Sequence, residues 1–514
     1  MKDLVYSQAN SITMRQQFEH QTTMGITPIS EVKFPRRSRD EMPPVLKSLQ
    51  YIFVTPELNK KIFSLLEKKV CAGKKKTGRT GMDLWHILVL AVVRHTLNTN
   101  WDRLEYLSNY DVLMRQILGI HADTFDIPKK EFFYQTIVDN VSLIDEQTLY
   151  EINILVVSHG QKLLNKKKED KSLMLKTDSY VLQTNVHFPT DLNLLWDALR
   201  KGLDTIEKLQ QETCLNGWRK IKLIYRNTKS IFRKTSQQVF RGKNEKQKKQ
   251  AVQQYLNEAK KLERRFSSVI LHLSAVVDAK KILNLIAELC VYNEYVKKQI
   301  NLIERRLLFG EKIEASEKIH SVFEPHTEWI NKGKHFPSVE LGHLLLITTD
   351  QNQFIVDYKV MEKEKDVEQV ESLMERLHTT FPGQKIYSHS FDKGFFSKDN
   401  YQCLMKAQVE NIILPKKGKL NTEEKERESN KTFKELRNAH SAVESNINML
   451  EHHGLNRCVD KGLYGYKKYV GLSVLAYNLH ILGNHLIVAE RKKEKEKQKQ
   501  RDRYYRYRYR RTVA

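Results

Sequence analysis

Cysteine is scarce. The chain has five in 514 residues (Cys71, Cys214, Cys290, Cys403 and Cys458), and none forms a CxxC pair. An odd, scattered set fits a reducing cytoplasm and argues against a structural zinc site built on cysteine. An apolar leader is also missing: the opening Met-Lys-Asp-Leu-Val-Tyr-Ser-Gln has no hydrophobic core, so export is not expected. Long apolar runs are few. The run 84–93 is too short to span a bilayer, and 470–488 carries Asn478, His480, Asn484 and His485 among its apolar residues. A span wants about 20 predominantly apolar residues, so both read as core helices and no membrane partner is expected. Acid is in deficit as well. Against 62 Asp and Glu stand 87 Lys and Arg, a net charge of +25. Such a field calls for a polyanionic partner, nucleic acid before membrane, through counterion release along a phosphate backbone.

What remains describes a folded, soluble protein: 40% of residues are apolar, 29% are charged and 22 are tyrosines. The length allows two to four domains. Residues 1–45 read as an extended arm, polar and punctuated by Pro28, Pro35, Pro43 and Pro44. Residues 46–160 read as a helical domain. Thr55 caps a helix with Pro56 at its first position and Ile62, Leu65, Leu66 and Val70 on one face. A basic glycine loop at 73–79 precedes helices over 83–97, 101–107 and 111–118, and one or two more follow within 132–156. That arrangement suits a helix-turn-helix-like DNA-binding domain as well as it suits an ordinary helical one.

The run 173–182 is apolar and alternating, with one carboxylate, Asp178, in its interior. A strand interior normally refuses a lone charge, because burying one is costly without a metal or a partner. Asp178 is therefore the first candidate metal ligand. A tight His187-Phe-Pro-Thr190-Asp191 turn follows. Residues 192–319 read as an all-helical, Lys/Arg-rich insertion built on a long helical hairpin. Strand patterns then return near 339–350 and 354–360, an amphipathic helix covers 366–381, and the strand 385–392 ends in a second carboxylate, Asp392. Another helix and a short strand at 411–415 follow. Residues 416–431 read as a charged, mobile loop. A single helix over 433–453 has Leu436, Ala439, Val443, Ile447 and Leu450 as its buried stripe, with Glu444 beside it facing the sheet and Gly454 as its stop. A closing helix over 469–489 leads into a tail, 491–514, whose stretch 491–511 holds 12 Lys/Arg against 3 Asp/Glu. The tail is expected to extend the helix and then fray into a nucleic-acid-binding segment. The expected fold is α/β: a mixed sheet with crossovers, formed by 161–191 and 320–490 and interrupted by the insertion.

Three acids stand out, two on strands and one on a late helix. Carboxylates converging at one sheet edge suit a pair of Mg²⁺ ions, since hard cations want oxygen ligands. Their surroundings, Thr184-Asn185-Val-His187-Phe-Pro189-Thr190-Asp191, Val322-Phe-Glu-Pro325-His, Gly333-Lys334, Val339-Glu340-Leu-Gly342-His343, Phe391-Asp392-Lys-Gly394-Phe395 and His440-Ser-Ala-Val443-Glu444, resemble the DDE transposases of bacterial insertion sequences. The resemblance covers roughly 80–490. It implies an RNase H-like core and a catalytic, metal-binding triad of Asp178, Asp392 and Glu444 with two Mg²⁺, Mn²⁺ being a possible substitute. It also implies cleavage at terminal inverted repeats with strand transfer into target DNA, a homodimer or higher assembly, and a cytoplasmic, nucleoid-associated location. A nuclease on the same core, or a catalytically dead DNA-binding descendant, are the alternatives.

Asn185, His187, Thr190, Glu340, His343 and His440 are the candidates for supporting the triad or touching DNA. Asp191 is expected to cap the helix that starts at Leu192, and His187 reads more readily as a packed turn residue. Asp350 and Asp357 read as turn and surface acids. The Tyr, Arg and Lys set that accompanies the glutamate in hairpin-forming relatives is not reproduced at Arg437, His440 and Glu451.

Overall fold

The computed structural model describes residues 17–18, 25–35, 38–73, 81–121, 130–164, 172–275, 279–331 and 338–512, with side chains to 504. The arm before residue 17, the loop at 74–80 and the Gly333-Lys334 pair lie outside the described residues. The protein is mixed α/β, 65% helical, with an open, mixed sheet of seven strands. It divides into two compact units, Met1–Gln183 with His343–Ala514, and Thr184–Gly342.

The first unit opens with α1 (Met42–Val54), α2 (Pro56–Val70), α3 (Leu84–Thr96), α4 (Trp101–Tyr110), α5 (Val112–Ile117), α6 (Tyr134–Val141) and α7 (Glu146–Leu164). Pro56 sits in the first turn of α2 behind Thr55, as its fixed φ favours, and Leu58, Ile62, Phe63, Leu66 and Val70 form the buried face. Every residue of α3 is buried, which explains its uninterrupted apolar reading. β1 (Leu173–Thr184) then enters the sheet.

The second unit contains α8 (Asp191–Glu212), α9 (Ile221–Arg241), α10 (Glu245–Ser274) and α11 (Lys280–Ile303), followed by β2 (Glu328–Asn331). The expected helical hairpin is thus four helices. Two of the three breaks are at Gly217, at φ 81, and at the Gly242–Asn244 corner, where Asn244 accepts from the amides of Lys246 and Gln247. Leu195, Leu199, Leu203 and Ile206 of α8 meet Tyr255, Leu262 and Phe266 of α10 and Leu289 and Val296 of α11 in one core.

β3 (Val339–Thr349) leads back into the first unit, where β4 (Ile355–Val360), α12 (Val370–Thr380), β5 (Ile386–Phe391), α13 (Lys398–Lys406) and β6 (Asn411–Ile413) follow. The strand order is β2-β3-β1-β5-β6, with β4 on β3 and the short β7 (Arg457–Cys458) on β1. β5 runs parallel to both β1 and β6, whereas β2 and β4 run antiparallel to β3. The parallel pairs follow from helical crossovers, which only parallel strands need.

Several expectations change here. The 416–431 segment contains a helix, α14 (Thr422–Ser429), opened by a reciprocal cap between Asn421 and Glu424 and held by Lys416 Nζ at 2.9 Å from both Glu424 oxygens. The single helix over 433–453 is two, α15 (Lys431–His440) and α16 (Ala442–Leu450), hinged at Ser441. Gly454 does end it, at φ 97, where a side chain would meet the Tyr469 hydroxyl. The last helix, α17 (Gly462–Thr512), is longer than its apolar run and continues through the basic tail to Thr512. It has the length and composition to cross a membrane, yet 61% of its apolar window is buried inside the protein. α17 packs on α1, α3 and α7. At Gly483 an added Cβ would stand 1.8 Å from the Pro44 carbonyl, so only glycine allows this approach.

Asp350 and Asp357 are core residues, not surface ones. Asp350 accepts from Gln161 Nε2 (2.8 Å) and from the amides of Asn352 and Phe354 (2.9 Å each). Asp357 takes a bidentate Arg376 guanidinium (2.7 and 3.0 Å) and the Tyr150 hydroxyl. Their spacing in a hairpin hid this, because the buried partners come from α7 and α12.

Candidate active site

The register of two parallel strands builds the site. Thr177 on β1 is paired with Phe391 on β5, and Lys176 with Ser390. The next residue on each chain is a carboxylate, Asp178 and Asp392, so the two acids emerge side by side, about one strand spacing of 4.8 Å apart in backbone terms. Side chains alternate faces along a strand. Lys176, Asp178, Ser390 and Asp392 therefore share one face, and Thr177, His389 and Phe391 the other. On that opposite face Thr177 Oγ1 lies 2.7 Å from Thr348 Oγ1 and 2.8 Å from His389 Nε2, a hydroxyl–imidazole chain that ties three strands together. His389 is fully buried, and burial, with the neighbouring His440, pushes its pKa down to about 3, so it is neutral.

α15 lies against β5 and β6. Its last residue, His440, reaches the acid face, where Nδ1 is 2.9 Å from Ser390 Oγ. This contact anchors the hinge at Ser441 and places Glu444 in the first turn of α16. Glu444 is exposed, as is Asp392, while Asp178 is half-buried. The expectation that Glu444 faces the sheet rather than water is corrected: Glu444 is exposed, while its neighbour Val443 is buried, as its place in the apolar stripe predicts.

Asp178 feels the other acids. Burial raises the pKa of Asp178 to about 6; the Ser179 amide, donating to Oδ1 at 2.7 Å, opposes this, and repulsion from Asp392, Asp366 and Glu444 adds to it. Burial likewise depresses His440, with Asp392 and Glu444 pulling upward and Lys176 downward. Asp366 was not singled out by sequence. It opens the turn before α12, accepts from Ser179 Oγ at 2.7 Å, and lies against Gly394, where a Cβ would come within 3.1 Å of Oδ2. Burial raises its pKa too. In sequence it reads as an ordinary first-turn acid of an amphipathic helix, and only the tertiary contact with Ser179 marks it.

Of the supporting candidates, His440 alone is shown beside these acids among the described residues. His343 is buried elsewhere in the same unit, its Nδ1 3.2 Å from the Met361 carbonyl and its ring edge-on to Tyr466 at 5.2 Å. Asn185, His187, Thr190 and Glu340 belong to the second unit. There Asn185 is exposed after β1, and His187 Nε2 stands 2.6 Å from Asp197, a buried acid of α8. Thr190, rather than Asp191, caps α8: its Oγ1 accepts from the Asn193 amide at 3.2 Å, while Asp191 pairs with Arg306 at 2.7 Å. Glu340 is half-buried on β3, paired in register with Ile330.

Among the described residues, no group of three or more His, Cys, Asp or Glu side chains is placed to hold a metal ion as they stand. The acids form a shared field rather than a closed ligand shell. Its chemistry is oxygen-only, the donor set of hard divalent cations. No protein-family model, curated protein or solved structure matches this chain.

Proposed function

We propose that the protein is a divalent-metal-dependent DNA transposase with an RNase H-like core, in which Asp178, Asp392 and Glu444 hold the metals. The observation that carries the reading is the juxtaposition of Asp178 and Asp392 by strand register, with Glu444 near enough to raise the Asp178 pKa. Mutually repelling carboxylates at a solvent-facing strand end gain stability from a bound cation, which removes the repulsion. When bound, a pair of Mg²⁺ or Mn²⁺ ions supplies charge neutralisation at the scissile phosphate and activation of the attacking oxygen.

The chain's own residues do the positioning. Asp178 and Asp392 present oxygens from two hydrogen-bonded strands, so their spacing is fixed by backbone. Glu444 arrives on a separate helix whose start is pinned by His440 on Ser390. Buried Thr177, Thr348 and His389 stiffen the strands beneath. In the proposed reaction a phosphodiester at the element end is hydrolysed, freeing a 3′-hydroxyl. That hydroxyl then attacks a target phosphodiester in line, and the target strand leaves through its own 3′-oxygen, which takes up a proton. The substrates are double-stranded terminal inverted repeats and target DNA, joined in the cytoplasm by at least a homodimer, since two ends must be held together.

A second reading is a DNA-binding descendant without catalysis, favoured by the lack of an assembled ligand group among the described acids. Strand transfer separates the two. Purified protein, Mg²⁺ and a labelled end from the flanking inverted repeat should give cleaved and joined products with wild type. Asp178→Ala, Asp392→Ala and Glu444→Ala should each bind that DNA and lose at least about 10³-fold in rate, the loss of an essential metal ligand converted to about 4 kcal/mol. Cleavage without joining would indicate a nuclease, and binding without metal-dependent cleavage the relic.

A further inference from the structure

We propose that the outward face of α9 is a track for the sugar-phosphate backbone of double-stranded DNA. The inference rests on charge and geometry within the helical unit, and it stands whether or not the acid site is catalytic.

α9 carries Lys222, Arg226, Lys229, Arg233, Lys234 and Arg241, and the chain has no Asp or Glu between Glu212 and Glu245. At 100° per residue, Lys222, Arg226, Lys229 and Arg233 fall within about 60° of one another, and they extend about 16 Å along the axis. That length matches about five base pairs of duplex at 3.4 Å each. The opposite face and one flank fix how the helix sits. Thr228 and Thr235 are buried, Phe232 stacks on Trp196 at 5.5 Å, and Tyr225 meets the same indole edge-on at 5.4 Å. The basic stripe is therefore held outward by core packing, with Lys222, Arg226 and Arg233 exposed.

The other helices of this unit show what a merely solvated face looks like. Several of their cations are matched by carboxylates: Lys248 with Glu245, Lys297 with Glu294, Lys281 with Glu212, and Arg306 with Asp191. None of the six α9 cations forms an ion pair among the described residues. At the start of the stripe, Asp204 and Glu207 of α8 line a cleft of about 730 Å³ together with Lys220, Lys222 and Arg226. They temper the first turn and leave the stretch from Lys229 onward uncompensated. Unpaired cations in a straight row suit a regular polyanion, because each phosphate they neutralise releases condensed counterions. Phe240, exposed at the far end on the same side, adds an apolar surface for a sugar or base edge.

The test uses the full-length protein in EDTA, with a short labelled duplex of arbitrary sequence, and reads anisotropy across a potassium chloride series. Lys222→Gln/Arg226→Gln/Lys229→Gln/Arg233→Gln is compared with Lys248→Gln/Lys281→Gln/Lys297→Gln/Arg306→Gln, which removes the same charge from paired positions of the same unit. Circular dichroism melts confirm that both variants fold. The track predicts at least about tenfold weaker binding for the α9 variant. It also predicts a log–log salt slope flatter by about three to four, near 0.9 for each phosphate left without its cation. The control should stay within about twofold of wild type. Equal weakening in both variants would show a general field rather than a track, and an unchanged α9 variant would remove α9 from the interface. Displacement of the duplex by poly-glutamate at equal charge would assign the face to acidic protein; each of these results overturns the proposal. No metal or cleavage enters, so failed strand transfer with normal salt-dependent binding counts against the catalytic reading alone.

Discussion

At the residue scale the account turns on Asp178, a carboxylate that a strand interior should not hold. Its pKa is raised to about 6 by burial and by the acids around it. The unfolded chain titrates near 3.8, so between about pH 4 and pH 6 the unfolded state releases its proton first, and stability falls as pH rises. Asp178→Asn removes that penalty. It should raise the metal-free melting temperature above pH 6, change it little below pH 4, and abolish strand transfer; a differential scanning calorimetry pH series checks this. In the wild type, added Mg²⁺ should stabilise at pH 7.5 and lose most of its effect at pH 5. In the proposed reaction His440 is a positioning residue that acts through Glu444. His440→Ala should slow strand transfer about 10–100-fold, the usual cost of removing a group that orients a ligand. DNA affinity should stay within about twofold, and His440→Asn, which keeps a hydrogen-bonding atom near Ser390, should recover part of the rate. Asp178 stands out in sequence as a lone acid in an apolar alternation, and Asp392 as the carboxylate that ends a strand. Asp366, Asp350 and Asp357 were not, since their importance comes from Ser179, Gln161 and Arg376, all distant in sequence.

At the scale of elements, strand register does what sequence alone could only suggest. The pairing of Thr177 with Phe391 aligns two acids 214 residues apart, and the long interruption between them obscured that alignment. Helix boundaries were harder to read where polar residues rather than glycine or proline make the break. Ser441 divides α15 from α16 with no strong stop signal, and the Asn421–Glu424 cap opens α14 inside a stretch that looked too charged to order. Two contacts between elements give direct tests. Asp357→Ala strands the Arg376 guanidinium between α12 and β4 and should cost about 3–5 kcal/mol, measured by urea denaturation. Gly483→Ala forces a Cβ against the Pro44 carbonyl and should cost about 1–3 kcal/mol through separation of α1 from α17. A neutral result at Gly483 would mean that the two helices are not held in this close approach.

On the scale of the whole molecule, the chain forms two units with separate cores. The helical insertion was recognisable from its density of lysine and arginine and from its scarcity of glycine. Its four-helix construction was not, because the turns at Gly217 and Gly242–Asn244 are short. The N-terminal helices were read as a separate domain by their position in sequence, yet α1, α3 and α7 share one core with the sheet and α17. The contiguous unit should fold by itself: a fragment spanning 184–342 is expected to be helical and to melt cooperatively by circular dichroism. A fragment starting at His343 should not, since its half of the first core is closed only by residues before 184.

The central claim is that three acids, brought to one strand end and its neighbouring helix, hold divalent metal. Mn²⁺ binding followed by electron paramagnetic resonance, on the protein bound to inverted-repeat DNA, tests it most directly. The account predicts two bound ions for wild type and the loss of at least one in each of Asp178→Asn, Asp392→Asn and Glu444→Gln, with DNA binding retained. Undiminished Mn²⁺ binding in all three variants would contradict it.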